Sequence, residues 1–147
     1  MATNRPLFAT PEEAEQAFYE AMREADLPLM MSVWSDEDDI VCVHPGGVRV
    51  VGHEPVRRAW AQVFAKGPVF ILPVQTVAIN GLMSAVRVLV EQAAVESSAQ
   101  GHLAPGCYAT NVYHKGPAGW RMVLHHASPT PREVDVLDLQ GRLDTLH

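Results

Sequence analysis

The chain has 147 residues, a length at which one ordinary domain can bury a core without disulfides or metals. Hydrophobic residues make up 48% of the sequence and charged residues 19%, a balance that excludes a disordered chain. The formal net charge is -6 and the sequence has no run of Lys or Arg, so neither a nucleic acid nor an anionic membrane is expected as a partner.

The cysteines and the N-terminal residues indicate the cellular compartment in which the protein is expected. Cys42 and Cys107 stand far apart without the spacing of a metal or redox motif, which predicts free thiols. The N-terminal run lacks the apolar core of a signal peptide, and no segment has the uninterrupted apolar length that a bilayer requires. We therefore expect one cytoplasmic domain over residues 1–147, with a core at about 10–128 and a C-terminal tail at 129–147.

The N-terminal half predicts helices and one hairpin. Thr10 as N-cap, Pro11 in the first turn and Glu13 three residues after the cap form a capping box, and apolar residues then recur at helical spacing as far as Ala25. The segments that follow are one or two helical turns at 29–34, an acidic loop at 35–39, a hairpin of strands at 40–44 and 48–51, and an amphipathic helix at 53–65.

After Pro68 the hydrophobic period changes from helical to extended. Strands separated by turn-rich segments are predicted at 69–80, 84–96, 102–114 and 119–128, and Asn80-Gly81 is a two-residue hairpin signal. Pro73 and Pro105 each remove a donor from the sheet and should lie at strand ends, edges or bulges. The elements together predict an α+β domain in which an antiparallel meander follows the helices.

Short runs of residues match a known family in the same order as these elements. They are Trp34-Ser35 followed by acids, a strand ending in His44-Pro45-Gly46, the helix start Gly52-His53-Glu54-Pro55-Val56, Trp60, and the last strand from Gly119 to Ser128. In these features the chain resembles the nuclear transport factor 2-like superfamily, in its SnoaL-like, ketosteroid isomerase-like branch.

The resemblance implies a cone, in which a curved mixed or antiparallel sheet is closed on one side by the N-terminal helices around a largely apolar cavity. Relatives commonly pair through the outer face of the sheet, so a homodimer is expected. Val123 and Ala127, placed on that face by strand parity, would be covered by the partner. Members range from isomerases to subunits with no chemistry, so the family leaves the function open.

Strand parity divides the last strand between the cavity and the outer surface. The more apolar face, which we assign to the cavity, carries Trp120, Met122, Leu124, His126 and Ser128. This makes His126 the histidine expected in the cavity and places His125 outside. A hydrogen-bonded core histidine would give the same pattern.

His44 ends the first strand, where its side chain can point into the mouth of the cone, and the resemblance places it near Trp34 and Trp60. Indoles offer broad apolar faces and one N–H donor, which suits a planar or hydrophobic ligand, although a tryptophan at helical spacing is as often core. Asn111 and Tyr113 are candidate hydrogen-bond donors, while the inward face of their strand stays undecided.

No carboxylate is expected in an apolar setting that would raise its pKa, because the acids cluster at 36–39 and in the tail, and Glu91 and Glu96 lie in a segment interpreted as exposed. A histidine would then be the proton carrier near neutral pH. The histidines lack strong ligand spacing, so neither a metal nor another cofactor is predicted.

Three functions remain open. The favoured hypothesis is a protein that binds a small apolar or aromatic molecule in a pocket of Trp and His side chains. The alternative is an isomerase, dehydratase or hydrolase acting on a small carbonyl or polyketide-like compound, with His126 or His44 as the base and Asn111 or Tyr113 stabilising an oxyanion. The third is a dimeric scaffold whose cavity is filled by side chains.

Overall fold

The computed structural model describes residues 5–93 and 106–131. In chain order its elements are α1 (Pro11–Glu24), α2 (Leu27–Val33), β1 (Val41–Val43), β2 (Arg49–Val51), α3 (His53–Phe64), β3 (Ile71–Asn80), β4 (Ser84–Ala93), β5 (Cys107–Gly116) and β6 (Gly119–Pro129). The six strands form one curved, unclosed sheet in the order β2-β1-β6-β5-β4-β3. The fold is α+β, as predicted.

The predicted capping box starts α1. The backbone N–H of Glu13 donates to Thr10 Oγ1 at 3.2 Å, and the Glu13 carboxylate accepts from the backbone N–H of Ala9 at 2.7 Å. The Glu13 amide is one of those that a helix start leaves without partners, whereas Ala9 precedes the N-cap, so the return bond of the box is displaced by one residue. The predicted boundary of α1 is therefore right to within one residue.

The second helix begins two residues earlier than predicted, at Leu27. Asp26 is its N-cap and accepts a hydrogen bond from the backbone N–H of Leu29 at 3.0 Å. Pro28 lies in the first turn, where the missing N–H would have had no partner in the helix. The proline interpreted as an interruption is thus part of the helix start.

The meander is confirmed, because β3, β4, β5 and β6 are antiparallel neighbours in that order. β1 pairs antiparallel with β2 and parallel with β6, which makes the sheet mixed. Pro73 lies on β3 at the edge of the sheet, as expected. β3 ends at Asn80 and β4 begins at Ser84, as predicted, so the connection has three residues, 81–83, whereas Asn80-Gly81 indicated a two-residue turn. Pro105, Glu96 and the tail beyond Pro131 lie outside the described residues.

β6 contains a bulge that reverses the parity of its second half. Val112 of β5 pairs with Leu124, whereas the next residue, Tyr113, pairs with Met122, so the register skips Val123. A bulge places two residues of one strand opposite one residue of its partner, and every side chain beyond it changes face.

The bulge makes two sequence predictions wrong. His125 is 1% exposed and faces inward, whereas His126 is exposed on the outer surface. Ala127 is buried on the inner face with His125, and Val123 is half-buried against the core, so neither of them contributes an outer apolar patch. Met122, before the bulge, faces inward as predicted.

Candidate functional site

An aromatic cluster fills the interior of the cone where α1, α3, β1 and β6 meet. Its ring centroids lie 4.5–6.0 Å apart in the pairs Phe18–Tyr19, Phe18–Trp60, Phe18–His125, His44–Trp60, Trp60–Phe64 and Trp60–His125. Edge-on and tilted pairs at these distances stabilise packing beyond the area that they bury. The expected proximity of His44 and Trp60 is right. Rings, however, occupy much of the space that the resemblance implied to be an open apolar cavity.

Two cavities adjoin the aromatic cluster and share no lining residue. The first, of about 490 Å³, opens between α1 and strands β3 and β4 and has Tyr19 in its wall. The second, of about 790 Å³, lies between the β1–β2 hairpin and the end of α3 and has His44 in its wall. We call them the α1 cavity and the hairpin cavity. Both volumes lie in the range of small-molecule sites.

Polar side chains of α1 line much of the α1 cavity, and apolar groups of the sheet complete it. The polar set is Glu12, Glu15, Gln16, Tyr19, Glu20 and Arg23. Ile71, Pro73 and Leu89 are the apolar groups, and Gln75 of β3 adds one more polar side chain. A cavity of this composition orients a ligand through hydrogen bonds as much as through apolar contact.

Asn111 is the centre of a buried hydrogen-bond network beside this cavity. Its Nδ2 donates to Glu15 Oε1 and to the Tyr19 hydroxyl oxygen, each at 3.1 Å, and its Oδ1 lies 2.6 Å from His125 Nδ1. Because an amide oxygen can only accept, Nδ1 of His125 carries the proton in this pair. All three hydrogen-bonding groups of the Asn111 amide are therefore in use.

Two glutamates hold the outer ends of the network. The Tyr19 hydroxyl donates to Glu91 Oε2 at 2.7 Å, and the Tyr113 hydroxyl donates to Glu15 Oε1 at 3.1 Å. Asn111 and Tyr113 both face inward, which decides the face that the sequence left undecided. They reach the α1 cavity through Glu15, and the structure does not place them in its wall.

Burial raises the pKa of both glutamates. Glu91 is 4% exposed, and desolvation raises its pKa to about 7 although the hydrogen bond from Tyr19 acts in the opposite direction. Desolvation also raises the pKa of Glu15, against the hydrogen bonds from Asn111 and Tyr113. The expectation that no carboxylate lies in an apolar setting is wrong. The available signal was parity on β4, where Glu91 shares a face with the apolar Leu89.

The buried histidines are held neutral. Desolvation, followed by the neighbouring His44 and His126, lowers the pKa of His125 to about 3. Desolvation also lowers the pKa of His44. At neutral pH these rings bind no extra proton, so the raised pKa of Glu15 and Glu91 makes the carboxylates the better proton carriers near the cavity.

Arg87 is a buried cation that the sequence interpretation missed. Its side chain is on the inner face of β4, where Nη2 donates to a Glu12 carboxylate oxygen and Nη1 donates to the carbonyl of Val86 at 3.1 Å. The Arg87 charge also lowers the pKa of Glu15, though less than burial raises it. The ion pair leaves Glu12, at the edge of the cavity, already neutralised.

The remaining predicted site residues lie apart from this network. Trp34 is fully buried where α2 ends and bridges to Met122, and it lines neither the α1 cavity nor the hairpin cavity. Trp60 is a member of the aromatic cluster, and His126 lies on the outer face. Over residues 5–93 and 106–131, no group of three His, Cys, Asp or Glu is placed to hold a metal ion, and no helix has the length and hydropathy to cross a bilayer.

Comparison with known families accords with this architecture. The family model of the SnoaL-like domain matches residues 12–132. The chain therefore belongs to the SnoaL-like domain family. The F-box protein SKIP8 of Arabidopsis thaliana is 28% identical over 128 residues, which are 86% of this chain and 51% of SKIP8. The chain thus spans about half the length of that curated relative.

Two solved structures are similar in both sequence and fold. A candidate calcium/calmodulin-dependent protein kinase type II association domain from Thiobacillus denitrificans is 36% identical, with a TM-score of 0.77 over 85% of this chain and 98% of that one. A candidate dehydratase of the NTF2-like family from Streptomyces avermitilis is 27% identical, with a TM-score of 0.67 over 81% of this chain and 93% of that one.

Proposed function

We propose that this member of the SnoaL-like domain family binds a small molecule in the α1 cavity and that Glu15 is the residue that contacts it. The observation that carries the proposal is the position of Glu15, a half-buried carboxylate in the cavity wall whose pKa burial raises. Its Oε1 accepts hydrogen bonds from Asn111 and Tyr113, while Oε2 has no hydrogen bond within the described part of the chain. That oxygen is an acceptor that a ligand in the cavity can use.

At Glu15 the network favours a ligand that brings its own donor, while Gln16, Arg23 and Gln75 are donors elsewhere in the cavity wall. The hydroxyl hydrogen of Tyr19 is committed to Glu91, that of Tyr113 to Glu15, and both amide hydrogens of Asn111 are in use. A ligand hydroxyl or amine can donate to Glu15, whereas a ligand carbonyl finds no free donor in this network. We therefore favour a small alcohol or amine with an apolar part against Leu89, in place of a wholly apolar molecule.

The test is binding of a panel of small amines and alcohols, measured by thermal shift and calorimetry. Glu15→Gln retains an oxygen acceptor but loses the charge, and we expect about a tenfold loss of affinity. Gln16→Trp places a bulky side chain at the exposed rim of the cavity and should block binding. Glu24→Gln, on the same helix outside the cavity, is the matched control. Equal binding by wild type, Glu15→Gln and Gln16→Trp would refute this site.

A second candidate function is proton transfer, favoured by the raised pKa of Glu15 and of Glu91. A carboxylate with a pKa closer to neutrality both removes and returns protons efficiently. Similarity to the candidate dehydratase supports this class. Glu15 would contact the substrate, and Glu91 would act on it through Tyr19 and Asn111. In D2O, proton abstraction would introduce deuterium into a bound carbonyl compound in wild type and not in Glu15→Gln, as NMR can show, whereas a binding protein would introduce none.

We also propose self-association through the outer face of the meander. Leu72 and Ile79 of β3 are each 58% exposed on that face, beside the exposed Val77. A monomer rarely exposes so many large apolar groups together. The similarity to a candidate association domain supports an assembly of copies.

A further inference from the structure

The hairpin cavity has an apolar wall built from three segments. Val48 and Val50 come from the β1–β2 hairpin, Ala59 and Val63 from α3, and Val69 from the segment before β3. The volume of about 790 Å³ would hold a small organic molecule. Because it shares no lining residue with the α1 cavity, it would be occupied independently.

Among the residues that the structure describes, Lys66 is the one formally charged side chain in this wall, and no carboxylate lines the cavity. Lys66 also forms no salt bridge within residues 5–93 and 106–131. A lysine in a wall that is otherwise rich in valine is complementary to a ligand that has both an anionic group and an apolar body. A cation would find no carboxylate among the described residues that line this cavity.

His44 and Gln62 add neutral polar side chains to the wall of the cavity. Burial raises the pKa of the Cys42 thiol to about 12, so the thiol stays protonated at neutral pH. Cys42 Sγ lies 3.8 Å from His44 Nε2, and the tautomer of the ring decides which of the two atoms donates. In the tautomer in which the thiol donates to Nε2, His44 carries its hydrogen on Nδ1, which has no hydrogen bond to the described residues.

We propose that the hairpin cavity is a second binding site, specific for a small aromatic or alkyl anion. The apolar body would lie against Val50, Val63 and Val69, and the carboxylate or sulfonate would bind Lys66 and His44. The inference stands independently of the function proposed for the α1 cavity.

Two fluorescent probes with a common aromatic framework distinguish the contribution of ligand charge to binding from that of apolar contact. They are 8-anilinonaphthalene-1-sulfonate, which is anionic, and N-phenyl-1-naphthylamine, which is neutral. Lys66→Met should raise the Kd of the sulfonate about three- to fivefold and leave that of the amine unchanged, since one partly exposed charge contact is lost. Val48→Glu should weaken binding of the sulfonate more than Val48→Gln does. Val48 is 81% exposed, so both variants will fold.

A blocking variant locates the probes. Ala59→Trp projects a large side chain into the cavity and should weaken both probes about tenfold or more, whereas Gln16→Trp at the α1 cavity should affect neither. Sulfonate binding that is unchanged in Lys66→Met, or probe binding that survives Ala59→Trp in a protein with native circular dichroism, would overturn the proposal. The second result would place the probes on the outer face of the sheet.

Discussion

His125 Nδ1 lies 2.6 Å from Asn111 Oδ1 on the neighbouring strand, and the two residues are direct register partners between β6 and β5. This contact orients the Asn111 amide so that its two N–H groups reach Glu15 and Tyr19. His125, which strand parity assigned to the outer surface, thus orients the residue at the centre of the network.

Replacing His125 with alanine should destabilise the protein by about 2–4 kcal/mol, because it leaves a cavity in the aromatic cluster and an unpaired buried oxygen on Asn111. His126→Ala, on the exposed face of the same strand, should change the free energy of unfolding by about 0.5 kcal/mol or less. Urea unfolding at neutral pH measures both values. Equal losses in the two variants would show that the bulge at Val123 is misplaced.

Glu91 should make the protein less stable as the pH rises. Its pKa is about 7 when folded and 4.5 ordinarily, so the folded state binds the proton more tightly. The resulting stabilisation is fully present below pH 4.5 and is lost by about pH 7. The free energy of unfolding should fall by about 3 kcal/mol across this range. Glu91→Gln should flatten this part of the stability profile, while Glu24→Gln should leave it as in wild type. A wild-type slope in Glu91→Gln would contradict the burial of that carboxylate.

His125 should act in the opposite sense at acid pH. Its folded pKa of about 3 lies below the ordinary 6.5, so the stability that it contributes above pH 6.5 is lost as the pH falls towards 3. His125→Gln can keep a donor to Asn111 without titrating, and we expect it to lose less stability on acidification than wild type. The matched change His126→Gln should give the wild-type acid profile; unfolding curves between pH 3 and pH 7 distinguish them.

The proposed self-association predicts a mass of twice the 16.1 kDa chain, or a higher multiple, in light scattering at micromolar concentration. Changing Leu72 and Ile79 together to glutamate places charge on the outer face of β3 and should yield monomers, because desolvating unpaired charge in an interface is unfavourable. Val48→Glu, on the exposed hairpin, should leave the mass unchanged. A monomeric wild-type protein would remove this interface.

The order of elements could be predicted from the sequence because its signals are local. Thr10 and Glu13 cap a helix within one turn, and the change of hydrophobic period after Pro68 marks the start of the meander. Neighbouring strands joined by short turns then pair antiparallel, so the sheet order from β3 to β6 followed with little further information. Family residues strengthened this prediction, which the fold confirms.

The network beside the α1 cavity was decided by the tertiary structure. One skipped residue, Val123, exchanges the faces of His125 and His126, and strict alternation cannot signal a bulge in advance. The buried Glu91 accepts a hydrogen bond from Tyr19, 72 positions away in the sequence. A buried carboxylate is tolerated only where such partners exist, and these partners meet only when α1 packs on the inner face of the sheet. Local pattern therefore determined where the helices and strands run, whereas packing determined which polar side chains they enclose.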